Sequence, residues 1–179
     1  MKKVMKNNII IVSIVLLILT PIVLFFYLPT TPEEAILKRR DEAFVLDTII
    51  DEISIDKDYS VTLYINKKGY LNSAVIEKIL WFYIVDEFSG NISPIAPHEL
   101  EIGDTRVSLI SSFYDKGTKY ISYGVIKDNS ISKVVYNNEP LREIHFNDLR
   151  IVYGFGDEIT FTAQYDLYDQ EGNILKHIK

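Results

Sequence analysis

The 179 residues offer 25 carboxylates and three histidines as acid–base groups near neutrality, and cysteine is absent. The missing thiols exclude disulfides, a cysteine nucleophile, cysteine-bound metal and a lipid-modified cysteine. His98, His145 and His177 stand far apart, none with a second histidine at ligand spacing, so each is expected on the surface rather than on zinc. His145 could enter a Ser-His-Asp triad only beside a nucleophile in a strained turn, and no such serine is recognisable. Gly-x-Ser-x-Gly, His-Glu-x-x-His, P-loop and Gly-x-Gly-x-x-Gly patterns are all missing.

Two carboxylate arrangements remain. Asp56 with Asp58, and Asp157 with Glu158, could supply a glycosidase-like acid and nucleophile, but such pairs arise by chance in an acidic chain and separation in space decides their use. Asp166, Asp169, Glu171 and Asn173 offer oxygen ligands around Gly172. They lack the alternating Asp-x-Asp-x-Asp-Gly order and the distal Glu of a calcium loop, so a plain hairpin turn is expected. No residue is thereby nominated as catalytic, cofactor-binding or metal-ligating, and no cofactor is expected. Trp81-Phe82-Tyr83 with Tyr120 and Tyr123 could line a ligand or peptide groove; strands use such residues in cross-strand pairs, and core is the expectation.

The elements that must hold these residues begin with Ile9 to Leu28, an uncharged run of 20 residues. At the helical rise it spans about 30 Å, the thickness of a bilayer's hydrocarbon core. Pro21 is tolerated in such a segment, and Tyr27 falls where an interfacial aromatic belongs. A cleaved signal peptide would have a shorter apolar region ending in small residues, whereas this run exits through Phe25-Phe26-Tyr27-Leu28. An uncleaved signal-anchor helix is expected, preceded by a short cytoplasmic tail over 1–8. Lys2, Lys3 and Lys6 sit within a few residues of the run, while Lys38, Arg39 and Arg40 begin ten residues beyond it. That asymmetry favours a cytoplasmic N-terminus and an extracytoplasmic C-terminal domain. Lys38 to Arg40 are expected on a solvated helical face.

All acids follow the apolar run, and of 19 Lys and Arg only the first three lysines precede it, which leaves 16 basic against 25 acidic side chains, a net of −9. Nucleic acid, which demands a basic face, is excluded as a partner.

Thr31 as N-cap, Pro32 at the first helical position and Glu34 closing a capping box predict a juxtamembrane helix over 29–48. Period-2 alternation then takes over. Strands are expected at Tyr59 to Ile65, within Leu71 to Phe88, and at Arg106 to Tyr114, Tyr120 to Lys127, Ile131 to Tyr136, Leu141 to Phe146, Arg150 to Phe155, Ile159 to Tyr168 and Ile174 to Ile178. Around Ala74 to Leu80 a turn or two of helix is the alternative, and Asn91 to Gly103 reads as the longest loop. Short strands at this spacing predict a mainly β (or α+β) fold, an antiparallel sandwich or barrel-like domain over 49–179, with a subdivision into two lobes near 116.

The run Tyr123-Gly124-Val125-Ile126 before Ile131-Ser132-Lys133-Val134, the hairpin Tyr168-Asp169-Gln170-Glu171-Gly172-Asn173 and the opening Thr31-Pro32-Glu33-Glu34 together resemble a set of small, uncharacterised extracytoplasmic proteins and lipoproteins of Gram-positive bacteria. The resemblance implies location and fold style and carries over no site residue; the chain departs from the lipoprotein members in lacking a cysteine at the membrane exit. The function expected is a single-pass cell-envelope protein whose outer domain is a non-enzymatic binding module for an envelope protein or peptide. The alternatives are a carboxylate-based envelope hydrolase and an accessory sensory subunit acting through a membrane partner.

Overall fold

The computed structural model describes residues 13–23, 27–39, 44–93, 106–157 and 164–178. Residues 13–23 are helical (α1), each of them exposed. The rest of the run Ile9 to Leu28, at 9–12 and 24–26, lies outside the described residues, as do the tail over 1–8, His98, Glu158 and Arg40. No helix among the described residues is long and apolar enough to cross a membrane.

The second helix, α2 (Pro32–Lys38), starts as its capping residues dictate: the Glu34 amide donates to Thr31 Oγ1 at 3.1 Å. The return half of the box is displaced by one residue, because Glu34 Oε2 accepts from the Thr30 amide at 2.7 Å. The expected extension to Thr48 does not occur. Arg39 is extended and caps the helix, and Leu46–Ser54 is already strand β1. Thr48, Ile49, Ile50 and Ile53 are β-branched, and their segment gains a full antiparallel ladder against the next strand, which outweighs the few helical turns the capping signal could propagate.

Antiparallel pairing continues through β2 (Tyr59–Asn66), β3 (Leu71–Ile79) and β4 (Phe82–Ile92), which with β1 form a sequential meander. The dense segment from Leu71 to Phe88 is therefore two strands, with no helix around Ala74 to Leu80. The reversal between them, Leu80-Trp81, contains neither glycine nor asparagine, so no turn chemistry announced it; Leu80 takes a left-handed φ of 57°. The loop expected over Asn91 to Gly103 is shorter at its start, since β4 runs to Ile92; 94–105 lies outside the described residues.

A second sheet is ordered β5 (Val107–Tyr114), β6 (Lys119–Ile126), β10 (Leu149–Gly156), β9 (Arg142–Phe146). A third is ordered β12 (Ile174–Ile178), β11 (Tyr165–Tyr168), β7 (Lys133–Tyr136), β8 (Glu139–Pro140). Of the strand expected over Ile159 to Tyr168, its last four residues are β11; 158–163 lies outside the described residues.

The fold is mainly β, and period-2 alternation explains how its layers stack. On β6, Ile121, Tyr123 and Val125 point into a core shared with Val61, Leu63, Leu71 and Val75 of the meander. Its alternate residues Tyr120 and Ile126 join Val134, Tyr136, Tyr165 and Leu167 of the third sheet in a second core. The central sheet is thus covered on both faces. On the far side of the meander, Ile36 of α2 packs with Tyr64, Ala74 and Ile76 in a third, smaller cluster. Each fully buried aliphatic side chain in these clusters contributes about 1.5–3 kcal/mol relative to exposure. Across the turn that contains residue 116, β5 and β6 are paired through their whole length.

Candidate functional site

Two turns and one strand end from distant parts of the chain meet at one end of the cleft between the meander and the central sheet. The β1–β2 turn is built by Asp56, whose Oδ1 accepts from the amides of Asp58 and Tyr59, both at 2.8 Å. This ties down one carboxylate oxygen and leaves Oδ2 to Lys119. The β5–β6 turn, Asp115–Gly117, places Asp115, Lys116 and Gly117 at positive φ in succession. Glycine takes that conformation freely, whereas Asp115 and Lys116 are held in it at a cost of order 1 kcal/mol or more each. The Asp115 amide donates to Asp86 Oδ2 on β4 at 2.9 Å, and Thr118 Oγ1 donates to the Asp115 carbonyl at 2.8 Å. The third contribution is the end of β10, with Phe155, Gly156 and Asp157.

Lys119, the first residue of β6, stands at the centre. Its Nζ lies 3.1 Å from Asp56 Oδ2, 3.9 Å from Asp115 Oδ2 and 5.1 Å from the centroid of the Tyr59 ring. Tyr59 and Tyr114 pack with ring centroids 5.4 Å apart. Ile55, Tyr114, Thr118 and Phe155 complete a cleft of about 520 Å³, and a neighbouring depression of about 240 Å³ beyond Asp56 is lined by Glu52, Asp58, Tyr59, Lys78 and Tyr83. Both volumes are of the order of small-ligand or side-chain pockets.

Lys119 is the one basic side chain among the described residues lining the larger cleft, against Asp56 and Asp157, with Asp115 at its edge. The hydrogen bond that Lys119 donates to Asp56, reinforced by the charges of Asp56, Asp115 and Asp157, holds Lys119 above its ordinary pKa. Burial pushes the Asp56 carboxyl up, but the Asp58 amide, Lys119 and the Tyr59 amide together hold it below the usual carboxylate range. Burial, with the charges of Glu77, Asp115 and Asp86, pushes Tyr59 up to about 12, and burial pushes Tyr114 up as well. Around neutrality, Asp56 is therefore an acceptor only, Lys119 a donor only, and both phenols are neutral. The arrangement is suited to receiving a cationic group, by salt bridge to the carboxylates and by stacking on the aromatic wall. A general acid would need a carboxyl held protonated, the opposite of what surrounds Asp56.

The other residues weighed from sequence are scattered. His145 is exposed on β9 with Nε2 3.1 Å from Glu143 Oε1, and His177 on β12 has Nδ1 2.6 Å from Asp166 Oδ1. Asp169 spends its carboxylate on the Asn173 amide at 2.8 Å and Nδ2 at 3.0 Å, and Gly172 has a φ of 85°, as a plain hairpin turn requires. Asp58 pairs with Lys57 at 3.5 Å rather than with Asp56. Among the described residues no three His, Cys, Asp or Glu side chains are placed to hold a metal. The aromatics split: Tyr123 is fully buried and Tyr120 nearly so, with Tyr120 in edge contact with Tyr136 at 5.0 Å, while Trp81 stands 41% exposed. The single groove considered for them does not form.

Lys38 and Arg39 are less free than a solvated face implies. Lys38 Nζ donates to the Tyr27 carbonyl at 2.7 Å, and Arg39 Nη1 donates to the Val85 carbonyl at 3.1 Å with its guanidinium 5.3 Å from the Phe88 ring centroid. Sequence reasoning also missed Tyr165, whose buried hydroxyl lies 2.6 Å from Ser111 Oγ and 2.8 Å from Ser122 Oγ. Its only sequence signal is a tyrosine at an inward position of an alternating strand. Set against models of known families, curated proteins and solved structures, the chain matches none of them.

Proposed function

We propose that this chain is a single-pass, membrane-anchored cell-envelope protein whose β domain is a binding module, taking a basic side chain of an envelope protein or peptide into the cleft of Asp56, Tyr114, Lys119 and Asp157. The observation that carries the binding half is the cleft itself: a carboxylate-rich mouth with an aromatic wall, in which the one cation among the described residues is already shared between Asp56 and Asp115. The net charge of −9 beyond the apolar run draws a basic partner toward it. The anchoring half is supported by the uncharged run Ile9 to Leu28, by the lysines before it and by the resemblance to small Gram-positive envelope proteins. The N-terminus is assigned to the cytoplasm and the C-terminal domain to the outside.

The test is fluorescence anisotropy of labelled lysine- and arginine-containing peptides with the full chain in detergent micelles, beside an acidic control peptide. Basic peptides are expected to bind and to weaken with salt, as pairs at a partly exposed site do. Asp56→Asn and Asp157→Asn are each expected to weaken them by a factor of about 2–5, the worth of one such pair. Equal binding of acidic and basic peptides, or indifference to both substitutions, would refute the proposed ligand class.

A further inference from the structure

The β3–β4 reversal is anomalous in composition, in backbone and in position. Hairpin tips favour Asn, Asp and Gly, and this one presents Leu80, 83% exposed, and Trp81, 41% exposed. Leu80 is also held at a φ of 57°, a conformation that costs an L side chain about 1–2 kcal/mol. Folding therefore has no use for leucine here: its side chain buries almost nothing and its backbone is strained.

The position accounts for both. The Tyr83 amide, two residues past Trp81, donates to the Pro29 carbonyl at 3.0 Å, and Pro29 immediately follows the apolar run that ends at Leu28. At the rise of an extended strand, Trp81 lies about 7 Å along the chain from that bond. Tyr27, on the other side of Pro29, is 75% exposed, and Ile84 on β4 adds a further exposed apolar side chain. Leu80, Trp81 and Tyr27 thus lie within three residues of that bond, where the chain leaves its apolar segment. The cations of this neighbourhood, Lys38, Arg39 and Lys78, belong to the same corner: Lys38 holds the Tyr27 carbonyl, Arg39 the Val85 carbonyl, and Lys78 Nζ lies 5.8 Å from the centroid of the Tyr83 ring. An apolar and aromatic tip with lysines close by, beside the carboxylates of Glu34 and Glu77, matches a zwitterionic phospholipid interface, with aromatics at headgroup level and ammonium groups near phosphate.

We propose that the Leu80-Trp81 tip is a second membrane contact, seated in the phospholipid headgroup region beside the point where the anchor emerges. It fixes the domain's orientation on the bilayer instead of leaving it to swing on residues 29–31. The inference rests on the anchor reading above, and one experiment separates the two. Trp81 is the sole tryptophan, so the full chain reconstituted into phosphatidylcholine vesicles reports on this residue directly. Emission shifted to shorter wavelength, and quenched by lipids brominated near the headgroup end of their acyl chains, is the expected result. Leu80→Asn should reduce that quenching, with the far-ultraviolet circular dichroism unchanged. A chain that floats with the vesicles yet keeps a water-exposed, unquenched Trp81 overturns this inference and leaves the anchor standing. A chain that fails to float overturns both.

Discussion

Replacing Leu80 by asparagine should make the protein more stable, an unusual expectation for removing a large apolar residue. Two quantities oppose each other. The left-handed backbone costs leucine about 1–2 kcal/mol, and asparagine recovers much of this because its short polar side chain bonds locally in that conformation. Against it stands the lost burial of Leu80, but with 83% of the residue exposed only about a fifth of a buried leucine's ~2–3 kcal/mol is at stake. The balance favours Leu80→Asn by about 0.5–1 kcal/mol, or some 3 °C in Tm for a domain of this size. Urea and thermal unfolding of the full chain in micelles, followed by circular dichroism, measures it. Leu80→Gly should gain less, because glycine surrenders about 0.5–1 kcal/mol of chain entropy on folding. Leu80→Val should lose stability, since a β-branched residue resists positive φ most. The order Asn, Gly, Leu, Val is the signature of backbone strain. An asparagine variant less stable than the wild type would refute the reasoning and give Leu80 a packing role instead.

Tyr165→Phe keeps the ring and strips the Ser111 and Ser122 hydroxyls of their shared partner, so it should lower stability by about 1–2 kcal/mol, read as a fall in the urea midpoint with an unchanged slope. Ile151→Ala empties space in the core shared by the meander and the central sheet and should cost about 2–5 kcal/mol while unfolding remains a single transition; early, separate loss of β1 to β4 would show that the two sheets do not share one core. The paired hydrogen bonds from Arg150, at 2.8 and 3.0 Å, hold the Glu143 carboxyl below its ordinary pKa. That contribution is complete above the ordinary glutamate range and is lost as pH falls through the lowered folded value; Glu143→Gln should therefore flatten the acid limb of the stability curve, and an unaltered limb would remove the pair as its cause. For topology, a phosphatase that works only outside the cytoplasm should be active when fused after Lys179 and inactive when fused before Met1, and the reverse pattern would invert the assigned orientation.

How far the fold was legible follows from which interactions are local. Alternation along Tyr59 to Ile65 and Arg150 to Phe155 located those strands, and Asp115-Lys116-Gly117-Thr118 and Asp169 to Asn173 announced their turns, because a period of two and turn residues are written within a few positions. Leu46 to Thr48 was misread as helix because its capping signal is local and its ladder partner, Ile65-Asn66, is not. Leu80-Trp81 was invisible for the opposite reason: nothing local favours a turn there, and the pairing of Ile79 with Phe82 imposes it. The cleft follows the same rule. Sequence places Asp56 beside Asp58, whose amide it does accept from, while its charge partner, Lys119, lies 63 residues away and is brought to it by the packing of two sheets. Tertiary packing decides such meetings, and no short motif encodes them.

The central sheet has a consequence for how the chain reaches this state. Sheet β1 to β4 is assembled wholly from consecutive hairpins, so it can form as soon as those residues are free. The sheet that covers it cannot, because β10, beginning at Leu149, must come to lie beside β6, which ends at Ile126, after the chain has already laid down β7 and β8 in the outer sheet. During that interval Val61, Leu63, Leu71 and Val75 can be met by Ile121, Tyr123 and Val125 of the local β5–β6 hairpin but not yet by Ile151 and Tyr153 of β10. Completion of this core therefore waits for the last third of the chain, and a chain emerging N-terminus first keeps part of that apolar face open until residue 156 has arrived.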